Sequence, residues 1–134
     1  KHSYYLIRHG ELLGYTDTEI EIIANLARYH RKSAPKKKHE NYQNLSKKNR
    51  HLVDRLNPLM RLAVALDRRQ IGAVAEVDCE CDRDAGEFRL KLKPCDREDD
   101  CALELWSLDL KKDVFEAEYD LKLVAFVEPT TVPV

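Results

Sequence analysis

Two consecutive stretches near the middle of the chain alternate between apolar and charged residues with a period of two, which is the pattern of half-buried strands. In residues 73–82 small apolar residues and cysteines alternate with mostly acidic ones, and in residues 87–93 apolar residues alternate with basic ones. The residues between them, 83–86, include Gly86 and predict a turn. The two stretches therefore predict an antiparallel hairpin.

Placing Asp82 opposite Glu87 fixes the register of this hairpin. Every other outward pair then joins opposite charges and every inward pair is apolar, and such cross-strand pairs contribute about 0.2–1 kcal/mol each. The outward pairs are Glu80–Arg89, Asp78–Lys91 and Glu76–Lys93, and the inward pairs are Cys81–Phe88, Cys79–Leu90 and Val77–Leu92. A slip by one residue would move the acidic side chains into the core.

The first half of the chain has the apolar period of helices instead. Residues 16–32 begin with a Thr16-x-x-Glu19 capping box, in which each side chain satisfies a free backbone N–H of the first turn. One apolar stripe follows at helical spacing, made of Ile20, Ile23, Ala24 and Ala27. Residues 3–9 are typical of the tail of a preceding helix, which Gly10 ends.

A third helix is predicted for residues 47–69, with Ser46 as its N-cap. Its apolar positions step by four and three, so we expect a core stripe of Leu52, Leu56, Leu59, Ala63 and Leu66, which Met60 and Leu62 widen. Pro58 removes the N–H that would bond to Asp54, so we expect a kink or a break there. Residues 33–45, which contain Pro35, are polar and predict a loop.

After the hairpin, a helix from Asp100 to Glu118 would place Leu103, Trp106, Leu110 and Val114 on one face, with Phe115 beside them. A strand at residues 102–105 competes with this assignment, because Leu103 and Leu105 alternate. Residues 121–127 predict a last strand. The fold class expected is therefore α+β, with a helical subdomain at residues 1–70 and a small hairpin–helix–strand subdomain at residues 71–134.

The net charge of −1 conceals an asymmetry between the two halves. Residues 1–70 carry 15 Lys and Arg against 7 acids, a net charge of +8, whereas residues 71–134 carry 8 against 17, a net charge of −9. A basic half indicates an anionic partner for that half, unless the two halves face each other or another subunit.

The four cysteines, Cys79, Cys81, Cys95 and Cys101, contain no C-x-x-C pair of the kind that binds zinc. We therefore expect buried, reduced thiols and a cytoplasmic protein. No apolar run is long enough to span a membrane. The chain begins at Lys1 without a Met, so we expect it to be a fragment whose upstream part is absent.

Cations collect at the end of the helix predicted for residues 16–32 and in the loop after it. The last turn would carry Arg28, His30, Arg31 and Lys32, and the loop adds Lys36, Lys37 and Lys38. Complementation of the helix dipole explains some of these residues. The full set predicts an anion-binding edge, and Arg28 and Arg31, held by the helix, should contribute more per residue than the loop lysines.

Three blocks resemble the C-terminal part of the exopolyphosphatase and guanosine pentaphosphate phosphohydrolase (Ppx/GppA) family. They are H-S-Y-Y-L-I-R-H-G-E-L-L-G-Y-T-D from His2, I-A-N-L-A-R-Y-H-R-K from Ile23 and L-M-R-L-A-V-A-L-D-R-R from Leu59. The resemblance implies that the helical half is like an HD-type phosphohydrolase domain. It also implies an upstream actin-like ATPase-fold domain that holds the catalytic carboxylate and a divalent metal, expected to be Mg. The C-terminal region would bind polyphosphate or another anionic phosphate ligand and form a homodimer.

The chain departs from the pattern of an active HD site at two points. It contains no His-Asp dipeptide, and Val64 stands where the later aspartate ligand is expected. His2 and His30 match histidines of that pattern and are weak candidates for metal binding. We therefore expect no catalytic residue and no cofactor in this chain, and no hydrolysis of polyphosphate by it alone.

Two alternatives to a substrate-binding and dimerisation domain remain at this point. One is an autonomous HD-type metal phosphohydrolase, which a metal titration would reveal. The other is a nucleic-acid-binding module that uses the basic residues 28–55, although only Tyr29 and Tyr42 could stack on bases there.

Overall fold

A computed structural model describes residues 2–30, 35–36 and 39–128 of the chain. Helices and a three-stranded sheet confirm the predicted α+β class. The elements are α1 (His2–His9), α2 (Asp17–Arg28), α3 (Glu40–Gln43), α4 (Lys47–Leu66), β1 (Val74–Asp82), β2 (Glu87–Pro94), α5 (Ala102–Tyr119) and β3 (Lys122–Val127). The chain forms two compact units, Lys1–Arg61 and Leu62–Val134, here called the first and the second unit. The subdomains predicted from the sequence stay a prediction.

Helix α2 begins as predicted and ends earlier than predicted. Thr16 is its N-cap, and both hydrogen bonds of the capping box with Glu19 are present. The helix ends at Arg28, where the N–H of Tyr29 still donates to the carbonyl of Asn25. The prediction that His30 lies in the last turn is therefore wrong, because the fully buried Tyr29 leaves helical geometry and joins a polar network described below. The predicted stripe is partly right, with Ile20 and Ala24 buried.

Helix α1 confirms the helix predicted before Gly10 and is joined to α2 through Glu21. The Tyr4 hydroxyl donates to Glu21 Oε1 at 2.5 Å, and Arg8 forms a 2.7 Å ion pair with the same carboxylate. Burial, together with Glu21, raises the pKa of Tyr4 to about 12, so this hydroxyl keeps its proton and donates. The Glu21 carboxylate thus anchors α1 to α2.

Helix α4 begins as predicted, with the N–H of Asn49 donating to Ser46 Oγ at 3.2 Å. It runs without a break through Pro58 and ends at Leu66, three residues before the predicted end. Its buried face is not the predicted one. Among the predicted stripe residues, Leu52, Leu59 and Ala63 are exposed, and Leu56 and Leu66 are half-buried.

The face that α4 buries is rotated by about one residue from the predicted stripe. Its members are Val53, Asn57, Pro58, Arg61, Leu62 and Ala65, of which Leu62 was predicted to widen the core stripe. Asn57 and Arg61 are polar, so apolar periodicity alone favours the neighbouring stripe of leucines as the buried face. The loop predicted for residues 33–45 also contains the short helix α3, which places Asn41 and Tyr42 in the interior of the first unit.

The hairpin of β1 and β2 has the predicted register from Asp82–Glu87 to Glu76–Lys93. The three outward pairs of opposite charge form ion pairs, at 3.5 Å for Glu80–Arg89, 3.6 Å for Asp78–Lys91 and 3.4 Å for Glu76–Lys93. Strand β3, predicted at the end of the chain, pairs with β2 in parallel, which gives the sheet order β1-β2-β3. A parallel pair needs a crossover, and α5 supplies it.

The core of the second unit lies over β2 and β3. Leu90 and Leu92 of β2 pack with apolar residues of α5, β3 and the end of α4. Strand β1 is an edge strand, and its inward residues Cys79 and Cys81 are exposed. The prediction that these thiols are buried is therefore wrong, because the core covers the neighbouring strand and leaves much of the inner face of β1 uncovered.

Helix α5 confirms the helix predicted for this region and excludes the competing strand at residues 102–105. Asp100, the proposed cap, accepts a 3.0 Å hydrogen bond from the N–H of Ala102. The face is again not the predicted one. Leu103, Trp106 and Leu110 are exposed and Val114 is half-buried, whereas Glu104, Ser107, Leu108 and Phe115 are buried.

A buried ion pair explains the orientation of the first turns of α5. Arg69 reaches Glu104 with Nε and Nη2 at 2.7–3.1 Å, and its Nη2 also donates to Asp99 at 2.7 Å. The Arg69 guanidinium holds the pKa of the Glu104 carboxyl below its ordinary value. A buried carboxylate needs such a partner, so Glu104 turns inward and Leu103 turns to the surface.

Candidate anion-binding surface

The end of α2 is held by a network of buried polar side chains in the first unit. Asn41 Nδ2 donates to Asn25 Oδ1 at 2.7 Å and to the Tyr29 hydroxyl at 3.2 Å. Since this hydroxyl accepts from Asn41, its own proton can be donated to His39 Nδ1, which lies 2.7 Å away. Burial raises the pKa of Tyr29, so the hydroxyl stays protonated. The network fixes the position at which the chain leaves α2.

Arg28, the first residue of the predicted anion-binding edge, belongs to this network. Its Nη1 donates to Asn41 Oδ1, and its guanidinium carbon lies 5.5 Å from the ring centroid of Tyr29. The side chain is half-buried. Part of the donor capacity of Arg28 is therefore already used within the first unit.

The other predicted edge residues are placed only in part. His30 lies just beyond α2, half-buried, with Nδ1 bonded to the carbonyl of Ala27, so Nε2 is the nitrogen left for a ligand. Lys36 is exposed. Arg31, Lys32, Lys37 and Lys38 lie outside the described residues. The structure thus brings Arg28 and His30 to the same end of α2 and leaves the remaining members of the edge a prediction.

A groove at the start of α4 collects further cations that the site prediction did not single out. Its volume is about 690 Å³, and it is lined by Tyr42, Lys47, Lys48, Arg50, His51 and Asp54. The Tyr42 hydroxyl donates to the carboxylate of Asp54, at 2.7 and 2.9 Å from its two oxygens. This hydrogen bond uses part of the acceptor capacity of Asp54. Four side chains that are or can become cationic therefore line one open groove.

The position of these cations on α4 opposes the helix dipole. The first turn of α4 carries no acid, although acids are favoured at the positive end of a helix. Lys47 and Lys48 there add their charge to the positive end of the helix dipole, so both attract an anion. If these lysines served only to complement the helix dipole, they would lie at the C-terminal end of α4.

The described residues include no group that fits a divalent metal site. In the part of the chain that the structure describes, no three His, Cys, Asp or Glu side chains come together in a way that could hold a metal ion. Nδ1 of His30 is bonded to a carbonyl, and the side chain of His2 is outside the described part. Val64, at the expected aspartate position, has no side-chain oxygen that could bind a metal ion.

Sequence reasoning missed the groove and the buried network for different reasons. The groove had a signal, since Lys47, Lys48, Arg50 and His51 are close in sequence and lie within the basic stretch 28–55. The network had none, because asparagines and a tyrosine in polar sequence are typical of loops as well. Only the tertiary structure brings Asn41 to Asn25.

No helix in the described ranges is long and apolar enough to cross a bilayer.

Comparison with known protein families gives one match. The family model described as Ppx/GppA phosphatase, domain III, matches residues 1–112 of the 134-residue chain. A comparison with curated proteins finds no match. The matched region contains the three blocks that carry the resemblance and both candidate parts of the anion-binding surface, and it confirms that resemblance. The chain belongs to the Ppx/GppA phosphatase family and carries its domain III.

Proposed function

We propose that this chain is the part of a Ppx/GppA phosphatase that binds the anionic phosphate substrate, polyphosphate or guanosine pentaphosphate. The observation that carries the proposal is the groove at the start of α4, where Lys47, Lys48, Arg50 and His51 gather around an acid-free first helical turn. A chain of phosphates presents closely spaced negative charges, and several such cations together match it.

The predicted edge extends the groove in this proposal. Asn41, which holds Arg28, directly precedes the groove residue Tyr42 in the chain. Arg28, His30 and Lys36 would bind further phosphates, together with Arg31, Lys32, Lys37 and Lys38. Each exposed contact contributes little and is screened by salt, so the affinity depends on their number.

Hydrolysis belongs to an upstream actin-like domain in this proposal, with its own carboxylate and Mg²⁺. The absence of an HD metal-ligand set among the described residues supports this assignment, and it disfavours an autonomous HD-type hydrolase. We expect no phosphate release from the 134-residue chain with polyphosphate and Mg²⁺. Release that persists through purification and disappears in His30→Ala would contradict the assignment.

We also propose that the parent protein is a cytoplasmic homodimer. Exposed apolar side chains on α5 support a protein contact on the second unit: Leu103, Trp106 and Leu110 lie at helical spacing and are each about half exposed. Cys79, Cys81 and Cys95 are exposed free thiols, which persist in a reducing compartment.

The experiment that tests substrate binding compares two double variants. Lys47→Ala/Lys48→Ala removes two groove cations, and Arg83→Ala/Lys122→Ala removes two exposed cations from the second unit with the same change in net charge. We expect the first to weaken polyphosphate binding by about tenfold and the second to have little effect, since one charge-assisted contact is worth about 1 kcal/mol or less at a surface. Equal affinities of both variants and the wild type would refute the role of the groove.

A competition measurement separates this function from the nucleic-acid alternative. Polyphosphate should displace bound single-stranded RNA more effectively than the reverse, because the described groove lining offers only the rings of Tyr42 and His51 for stacking and the Tyr42 hydroxyl is bonded to Asp54. Tighter binding of RNA than of polyphosphate at equal charge concentration would favour the alternative.

A further inference from the structure

Arg61 is a buried cation without a carboxylate partner in the described part of the chain. It is 7% exposed, and its Nη1 donates to the backbone carbonyl of Tyr29 at 3.0 Å. Its Nε is buried and has no hydrogen-bond acceptor. Burial lowers the pKa of this guanidinium, and no neighbouring acid raises it. A cation in this position is costly unless an anion compensates it.

Asn57 lies one helical turn before Arg61 on the same face of α4 and is also unpaired. Its side chain is fully buried, and neither Nδ2 nor Oδ1 has a hydrogen-bond partner among the residues that the structure describes. Buried carboxamide groups nearly always form hydrogen bonds. Two polar atoms without partners on Asn57, one helical turn from the unpartnered Nε of Arg61, therefore indicate a missing ligand.

The acids of the first unit do not fill this position. Glu21 is paired with Arg8 and Tyr4, and Asp54 with Tyr42. Glu19 is used in the capping box. The remaining acids of this unit, Glu11, Asp17 and Glu40, are exposed. An internal water would satisfy Asn57 but would leave the charge of Arg61 uncompensated.

We propose that Arg61 and Asn57 form a buried site for one small oxyanion of the phosphate class. The Tyr29 carbonyl holds one end of the guanidinium, so its Nε edge is oriented for an oxygen of the ligand. Nδ2 of Asn57 donates to the same anion. Guanidinium groups bind such oxyanions with directed, charge-assisted hydrogen bonds.

The free Oδ1 of Asn57 makes the site selective among oxyanions. This atom accepts a hydrogen bond only from a ligand that carries a proton. Monohydrogen phosphate at neutral pH has negatively charged oxygens for Arg61 and one P–OH for Oδ1. Sulfate has no proton at that pH, and chloride has neither a donor nor a second acceptor. Phosphate should therefore bind more tightly than sulfate, and sulfate more tightly than chloride.

This inference goes beyond the proposed function, because a single anion in the interior is not the phosphate chain on the groove surface. The two ideas can fail separately. The variant Lys47→Ala/Lys48→Ala removes two of the groove cations and should leave binding of inorganic phosphate at Arg61 unchanged. Loss of phosphate binding in that variant would assign the phosphate to the groove and overturn the buried site.

The first measurement is the thermal midpoint of the 134-residue chain in phosphate-free buffer, titrated with inorganic phosphate, sulfate or chloride at constant ionic strength. A ligand that binds only the folded state raises the midpoint in proportion to its occupancy. We expect a saturable rise with phosphate, a smaller rise with sulfate and none with chloride. The Asn57 side-chain amide resonance should shift along the same phosphate curve. Equal effects of all three salts would overturn the proposal.

Variants of the two residues that form the site, Asn57 and Arg61, give a second test. Asn57→Asp supplies a built-in carboxylate for Arg61, so the midpoint should rise without phosphate, and phosphate affinity should fall by about tenfold or more. Arg61→Met removes the buried charge at similar volume and should abolish the phosphate-dependent shift. A lower midpoint of Asn57→Asp in phosphate-free buffer, or wild-type phosphate affinity in either variant, would contradict the proposal.

Discussion

Replacing Leu108 with alanine should destabilise the second unit by about 2–5 kcal/mol, whereas the same change at Leu110 should alter its stability by less than about 0.5 kcal/mol. The two leucines lie on the same helix, two residues apart. Leu108 is 1% exposed and belongs to the core, and Leu110 is 56% exposed. The sequence alone predicts the opposite result, because Leu110 belongs to the apolar stripe.

The magnitude follows from burial. Leu→Ala removes three carbon atoms, worth about 0.8 kcal/mol each when they are fully buried. The cavity that remains among Leu90, Leu92 and Phe115 adds to this loss, since the core relaxes only partly. At Leu110 most of the side chain is already in water, so little transfer free energy is lost.

Urea unfolding followed by fluorescence measures the difference. Trp106 is the single tryptophan of the chain and lies on α5, so its emission reports on the second unit. Both variants should keep the slope of the wild-type transition while the midpoint falls only for Leu108→Ala. An equal or larger loss in Leu110→Ala would show that α5 buries its apolar stripe, and the orientation described here would be refuted.

Three further predictions follow from single contacts. Because Arg69 lowers the pKa of Glu104 in the folded state, the stabilisation from this pair is complete above the ordinary carboxyl pKa of 4.5 and is lost as the pH falls below that value. Urea unfolding at several pH values should show this loss of stability in the wild type and a smaller loss in Glu104→Gln. Thr16→Ala should cost about 1 kcal/mol by loss of the capping box, measured as a reduced free energy of unfolding of the first unit by circular dichroism. Cys79 should react with a thiol reagent in the folded protein, whereas the buried Cys101 should react only on unfolding; protection of both would contradict the exposed edge of β1.

The hairpin could be predicted to the residue because its information is local and redundant. Three outward pairs of opposite charge and three apolar pairs all agree on one register, and any slip violates several of them. The capping box of Thr16 and Glu19 is local in the same way. Features that are determined within about ten residues of sequence can be recognised without the fold.

The faces of α4 and α5 could not be predicted because distant polar partners decide them. Glu104 is buried by Arg69, 35 residues earlier, and Arg61 is buried against the carbonyl of Tyr29, 32 residues earlier. Each contact turns a polar side chain inward and an apolar one outward. The apolar stripes then lie at the surface, where they are available to another domain or subunit.

The sequence predicted that the candidate site is basic, but it did not predict the groove that the cations line. Composition indicated that the first half is basic, and the predicted edge at Arg28 and His30 lies at the end of α2. Close spacing in the sequence indicated the groove cations but not the groove itself, because α3, which places Tyr42 in the lining, was predicted as loop.

The central claim is that cations of the first unit bind a phosphate chain, and the salt dependence of that binding tests it most directly. The logarithm of the association constant for long-chain polyphosphate should fall linearly with the logarithm of the salt concentration, as counterions are released. The slope should be shallower by about 1.4 in Lys47→Ala/Lys48→Ala, by analogy with about 0.7 for each of two contacts with a single-stranded nucleic acid, and unchanged in Arg83→Ala/Lys122→Ala. An identical slope in the wild type and in both variants would show that the groove does not contact the phosphate chain.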